Sequence, residues 1–446
     1  MYPSLFSFFT DPVLRGPTLG TMLICMAAAL VGVLLVLRKQ SLVGEALSHA
    51  AYPGLMLAVL CIGTFFPIQE SDGIVTLGIS FGALGTALLG LWCISFLTRL
   101  KIPSDAAFCL VLASFFGIGL TLVSRIQFTH TSLYRQAQTY LYGQAATMND
   151  HHILVYAILA CLVLLLIRLF QKELQIILLN PGYAETLGIP KKAISALVSL
   201  LAAIAVVIGI RSVGVVLMSA MLIAPAVTAR QYTHHFSKML FLSGGFGLLA
   251  GLAGNCLSVW LTHFLSNLYP TTRIGLPTGP MIVLVSSSVC AFALLTAPER
   301  GLLQRLWRAA QFQYRRTQEN VLKMIWRISP DKTIPIQEIA TYHRQSSLYL
   351  RFILLRLIAK GWLLEIDHGT YRLTDEGKHE AMRIVRLHRL WELYLADYLG
   401  VGVENVHRNA EEMEHVITPE IEQQLTLLLN DPLLDPHHQI IPRKRK

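Results

Sequence analysis

Charged side chains are scarce in this 446-residue chain, 14% against 54% hydrophobic, which excludes a single water-soluble domain. Cysteine occurs at seven positions, from Cys25 to Cys290, with no Cys-x-x-Cys pair and none further on. That argues against both a disulfide framework and a thiolate zinc site. Gly-x-x-x-x-Gly-Lys-Ser/Thr is missing as well, so no nucleotide site is recognisable on this chain. His-Glu-x-x-His is missing too, which removes the two ligands and the base of an intramembrane metallohydrolase. The opening MYPSLFSFFTDPVLRGP lacks a basic leader and a small-residue cleavage site. No cleaved signal peptide is expected, and the first apolar helix is left to do the targeting.

What is present is a series of apolar blocks, each near the ~20 residues that cross a bilayer as a helix. About nine spans are expected, at 18–37, 43–66, 74–98, 105–124, 152–170, 192–210, 212–229, 239–265 and 278–297. Alternate loops are unequal in charge. One set carries Arg38, Lys39, Arg99, Lys101, Arg168, Lys172, Lys191, Lys192, Arg230 and Lys238, and the other Arg15, Arg125, Arg135, Arg211 and Arg273. The positive-inside rule makes the richer set cytoplasmic, with the N-terminus outside and the remainder after residue 297 in the cytosol. Glycine-rich runs at 78–90 and 244–254 read as close helix packing rather than phosphate loops.

Within the second span, SLVGEALSHAAYPGLML (41–57) places Glu45 and His49 four residues apart, on one helix face. Ionisable groups at membrane depth usually face a partner or a path, and this pair suits a divalent cation completed by other ligands, waters or backbone oxygens. The polar connector QKELQIILLNPGYAETLGIPKK holds a short helical segment around Tyr183, Ala184 and Glu185, closed by Gly188. Together GEALSHAAYPG (44–54), NPGYAETLGI (180–189) and VGVVLMSAMLIAPAVTAR (213–230) resemble the permease subunits of ATP-binding-cassette importers for zinc, manganese and iron. The resemblance implies an all-α polytopic permease whose Glu45 and His49 line the metal path, Glu45 standing where many relatives carry Asp. It also implies that Tyr183–Gly188 docks a separate ATPase subunit. An extracytoplasmic metal-binding protein and a second permease copy or paralogue are the further expected partners.

From Pro298 the composition changes. Residues 298–316 form a basic linker suited to anionic headgroups. Residues 317–374 then read as three short helices and a hairpin, WLLEIDHG and TYRLT meeting at His368-Gly369, a winged helix-turn-helix. Leu348, Phe352, Leu355 and Ile358 look like its buried stripe, leaving Ser346, Ser347, Tyr349 and Arg351 toward a groove and Arg344 and Arg356 for phosphate. Residues 375–446 contain His388 and Glu392 at i and i+4, then His407, Glu411, Glu414 and His415, a nitrogen–oxygen set suited to Mn²⁺, Fe²⁺ or Zn²⁺. H-x-x-x-E (388–392), V-H-x-x-A-E-x-x-E-H (406–415) and DPLLDPHHQIIP (431–442) resemble the diphtheria-toxin-repressor family of metal-dependent repressors. That resemblance implies a cytosolic helical metal-sensing and dimerisation domain with those six residues as ligands, bound to operator DNA as a dimer. Glu411 stands where iron-sensing relatives place Cys and manganese-sensing ones Glu. The first helix, which supplies a further Asp or Met ligand in that family, offers Asn320 here, and the nearby Lys323 would repel a second cation. A tethered repressor must reach its operator: either the chromosome comes to the membrane or the basic linker is cut, and cleavage near 300–316 is the expectation. The alternative, a membrane-anchored metal-sensing regulator that transports nothing, leaves most of the spans unexplained.

Overall fold

The computed structural model describes residues 4–65, 72–129, 134, 140–141, 143, 145–270, 275–342 and 347–443. The chain divides into two compact units, Met1–Gln304 and Arg305–Lys446.

The first unit is a helical bundle. A short helix α1 (Ser7–Thr10) precedes α2 (Pro12–Leu37), α3 (Leu42–Phe65), α4 (Asp72–Arg99), α5 (Ser104–Thr129) and α6 (Asp150–Leu169). Then follow α7 (Gln171–Leu179), α8 (Pro181–Thr186), α9 (Lys191–Val213), α10 (Met218–Tyr232), α11 (Phe236–Leu268) and α12 (Thr278–Thr296). Eight of these helices are long and apolar enough to cross a membrane among the described residues, one fewer than the nine expected. The difference is the 212–229 span. Its helix α10 has 15 residues, a rise of about 22 Å against a hydrocarbon core of about 30 Å. The non-helical Gly214–Leu217 precedes the helix and continues its apolar run. Val215 N–H donates to the Tyr140 carbonyl at one end of the bundle, and at the other Arg300 reaches the Arg230 carbonyl. Between them Ala226 and Ala229 pack on Val33 near the end of α2.

α2 is the central stave: its residues from Ile24 to Leu35 are almost all buried. Asp11 caps it by accepting the Val13 N–H, and Pro12 fills the first turn, where no donor is needed. Glycine lets the staves touch backbone to backbone. A Cβ on Gly54 would sit 2.0 Å from the Gly82 carbonyl oxygen, and one on Gly32 1.7 Å from that of Leu222. Gly247 and Gly251 likewise face the Cys25 and Thr21 carbonyls of α2.

The second unit begins in α13 (Leu302–Ile328), one continuous helix that absorbs the basic stretch assigned to a linker and the first helix of the winged domain. Then come β1 (Ile334–Pro335), α14 (Ile336–Tyr342), α15 (Ser347–Ala359), β2 (Leu363–Asp367) and β3 (Thr370–Leu373), in an antiparallel sheet of order β1-β3-β2. The two-strand hairpin is as expected, and the short third strand is an addition that its two residues, one of them proline, conceal. The face of α15 is a correction. Its buried residues are Leu350, Ile353, Leu354 and Leu357, while Leu348, Phe352 and Leu355 are exposed. Both stripes have helical spacing, and only the core formed by α13, α14 and the sheet decides between them. α16 (Asp375–Asp397, capped by the Thr374 hydroxyl), α17 (Val403–Met413) and α18 (Pro419–Leu428) complete the unit.

Substituting Gly54 by alanine should therefore separate α3 from α4 and cost about 1–3 kcal/mol of overpacking. Gly245→Ala, where nothing lies within 4 Å of the added Cβ, should be neutral. Thermal denaturation of detergent-solubilised protein, followed by size-exclusion chromatography, reads the difference; equal melting of the two variants would refute the close approach.

Candidate metal centres

In the first unit, α3 positions Glu45 in its first turn and His49 one turn on. His49 is 8% exposed, its Nδ1 finds no hydrogen-bond partner among the described residues, and its ring lies edge-on to Phe116 at 4.5 Å. A buried imidazole nitrogen left unpaired is costly and calls for an explanation. Glu45 is half-buried beside it. Four residues beyond His49 stands Pro53, which has no N–H to give the His49 carbonyl, so the helix offers a backbone oxygen at the same level.

The helix α8 is fixed by Asn180, whose Oδ1 accepts from Gly182 N–H (3.0 Å) and Tyr183 N–H (3.2 Å). Ala184 is fully buried and anchors it. Glu185 pairs with Lys191 at 3.2 Å, and Gly188 ends the turn with φ +73°, a conformation that favours glycine. Leu179, Tyr183 and Leu187, spaced by four, are all exposed.

In the second unit the structure gathers three of the six expected sensor ligands. One donor atom from each of His388, Glu392 and His407 lies within 4.8 Å of the others. Glu392 Oε1 is 3.1 Å from His388 Nε2 and 2.8 Å from His407 Nδ1, and the two imidazole nitrogens are 3.0 Å apart. The cluster borders a cavity of about 540 Å³ also lined by Trp326, Arg389 and His437. Two imidazoles and a carboxylate converging beside open space fit a borderline divalent ion. Glu414 stands behind: its Oε2 meets His388 Nδ1 at 2.6 Å, leaving Nε2 toward the cluster, as a carboxylate does when it orients a metal-binding histidine. Its other oxygen contacts Lys323 Nζ. His415 Nδ1 is 2.6 Å from Glu319 Oε2, and Glu411 is half-exposed, 3.6 Å from His407 Nε2. Glu319 was not singled out in the sequence, although it shares a face of α13 with Lys323 at i and i+4.

The charges are mutually adjusted. Burial pushes the Glu392 carboxyl up, but hydrogen bonds from His388 and His407 outweigh it and hold the pKa down to about 2. Burial likewise raises Glu414, and the His388 hydrogen bond and Lys323 charge overcome it, keeping it below the ordinary range. For His388, burial favours the neutral ring, yet the Glu392 and Glu414 carboxylates raise its pKa above the usual value.

Of the expected DNA contacts, Arg344 and Ser346 lie outside the described residues. Ser347 and Arg351 are exposed on α15, and Tyr349 is half-buried. Arg356 is exposed and stacks over Phe352 at 5.5 Å.

A helical membrane bundle with an imidazole–carboxylate step in its second span defines a polytopic transport protein. The chain belongs to the ABC 3 transport family, whose model matches residues 10–297. Residues 374–443 match the metal-binding and dimerisation domain of iron-dependent repressors. A probable metal transport system membrane protein of Chlamydia pneumoniae is 36% identical over 98% of both chains. The manganese transport system membrane protein of Bacillus subtilis is 32% identical over 89% of this chain and 87% of its own. The solved PsaBC of Streptococcus pneumoniae, in complex with a Fab, shares 26% identity and a TM-score of 0.55, over 67% of this chain and 98% of that one.

The adjusted charges give a pH signature in the metal-free protein. A raised His388 pKa stabilises the fold fully below about pH 6.5 and loses this as pH rises through its folded value. The depressed Glu392 stabilises above about pH 4.3 and loses this as pH falls through about 2. Hydrogen exchange over 384–415, corrected for intrinsic rates, should thus be slowest between about pH 4.5 and 6.5 and become faster once pH rises through the folded His388 value. A His388→Gln chain that keeps this trend would contradict the assignment.

Proposed function

We propose that this chain is the membrane permease subunit of an ATP-driven importer of divalent metal, with a metal-responsive transcriptional repressor as its C-terminal unit. The single observation that carries the transport reading is the buried, unpartnered His49 one turn from Glu45 inside a matched permease domain. Metal is cargo at this point. The His49 imidazole and Glu45 carboxylate exchange hydration water for protein ligands, and the His49 carbonyl supplies a harder oxygen. Relatives named for manganese, zinc and iron transport support the class of ion, and nitrogen–oxygen donors suit all three, with manganese and iron favoured.

Energy comes from a separate ATP-binding-cassette subunit gripping α8, where Tyr183 and the neighbouring Leu179 and Leu187 offer an apolar handle around Ala184, Glu185 and Gly188. An extracytoplasmic binding protein delivers the ion, and a second permease copy or paralogue completes the pathway. Arg38, Arg168, Lys191, Arg230 and the following unit lie on the cytoplasmic side, by the excess of basic residues in those loops.

In the C-terminal unit, His388, Glu392 and His407 hold the sensed ion. Its binding favours the dimeric, operator-binding state, because a ligand shifts an equilibrium toward the form it binds more tightly. Ser347 and Arg351 on α15 face the DNA beside Leu348 and Phe352, whose apolar surfaces suit thymine methyl groups.

In cells that depend on this importer, Glu45→Ala or His49→Ala should reduce uptake of radiolabelled Mn²⁺ at least tenfold at equal protein level. Uptake within twofold of the parent would refute the path assignment.

A further inference from the structure

Glu411, Glu414 and His415 are the three of the six expected sensor ligands that do not join the His388–Glu392–His407 cluster. Their surroundings say why. Glu414 has no exposed side-chain surface and Lys323 is 8% exposed, yet the two are in direct ionic contact. His415 Nε2 faces the same Glu414 oxygen at 3.4 Å and has no well-directed hydrogen bond of its own. Glu414 Oε1, the oxygen a second ion would share with His415 Nε2, therefore already carries an ammonium, while Glu411 turns to His407 instead. Glu414 Oε2 is taken by His388 Nδ1, and Glu319 accepts from His415 Nδ1–H on one oxygen and from Arg315 Nε at 2.7 Å on the other, which leaves His415 Nε2 as the one unpaired nitrogen beside the ammonium among the described residues.

We infer that Lys323 is a built-in cation occupying the second metal position of the sensor, so that the C-terminal unit takes one divalent ion and not two. A buried carboxylate needs a positive partner, and a tethered ammonium meets that need with one charge and three donors. It also repels any ion approaching Glu414 and His415, and it differs from a bound metal in being permanent. Helix α13 is consequently latched to the end of α17 through Lys323–Glu414 and Glu319–His415 whether or not metal is present. The variable contact is left to the other side of Glu414, where the same carboxylate orients His388 for the single ion. Occupancy of that one position, rather than assembly of α13 onto the sensor helices, is what the metal controls.

The inference deepens the sensor reading and rests on it for the ion at His388. The test is a metal count on the full-length chain in detergent, dialysed to equilibrium against Mn²⁺ and measured by inductively coupled plasma mass spectrometry, with circular dichroism as the folding control. His407→Ala should lose one ion per chain. Glu411→Ala, a half-exposed position, should lose none. Lys323→Glu, which replaces the ammonium by a further ligand, should gain one. A folded Lys323→Glu chain with an unchanged count, or a chain that loses one ion with His407→Ala and two with His407→Ala and Glu411→Ala combined, would overturn the built-in cation alone. Should Lys323→Glu fail to fold, the combined count decides by itself. No loss with His407→Ala would overturn the sensor reading, and the inference with it.

Discussion

Glu414 is enclosed on every side, and its carboxylate is met by an ammonium from α13 on one oxygen and an imidazole from α16 on the other. The organisation of the C-terminal unit follows from that one buried charge. Removing either partner would leave an ion stranded away from water, at a cost of about 3–5 kcal/mol. Helices far apart in sequence are therefore held in one register. The same contact fixes which His388 nitrogen turns toward Glu392 and His407, so the geometry of the candidate ion site depends on a residue that need not touch the ion.

The membrane unit answers the same constraint differently. There most of the structure is made of groups that ask nothing of water: apolar staves, glycines that let backbones meet, and threonine hydroxyls turned back to their own carbonyls, as at Thr18 and Thr21. Among the described residues His49 Nδ1, like Tyr156 Oη and Glu173 Oε2, is buried without a hydrogen-bond partner, and it alone of these stands one turn from an acidic residue on the same helix. In the C-terminal unit most carboxylates and imidazoles pair with one another, as Glu392 does with His388 and His407 and Glu414 does with His388.

Much of this was legible in the residues. The order of the spans, the one-turn spacing of Glu45 and His49, and the hairpin turn at His368-Gly369 all come from local periodicity and turn chemistry, which do not depend on distant parts of the chain. Where long-range packing decides, local reading falls short. The 15-residue α10 looked like a full span because Gly214–Leu217 continues its apolar run without helical structure. On α15 two stripes compete, and Leu350, Ile353, Leu354 and Leu357 fill the core with the sheet and α13, while Phe352 stays exposed with an outer ring contact to Tyr314. Four of the six expected sensor residues lie on the two helices, but the second helix ends at Met413 and leaves Glu414 and His415 in the turn that follows, where they meet Lys323 and Glu319, about ninety residues away in sequence. Lys323 was noted as a repelling charge; that it contacts Glu414 directly required the fold.

Under the proposed function, one chain carries two metal sites with separate tasks. The most direct measurement takes a single variant, His407→Ala, in cells that depend on this importer, and reads operator occupancy by chromatin immunoprecipitation alongside the initial rate of Mn²⁺ uptake. The account predicts that occupancy no longer responds to metal while uptake per permease stays within twofold of the parent. An uptake rate that falls with the loss of operator response would contradict it, since the two sites would then be one functional unit.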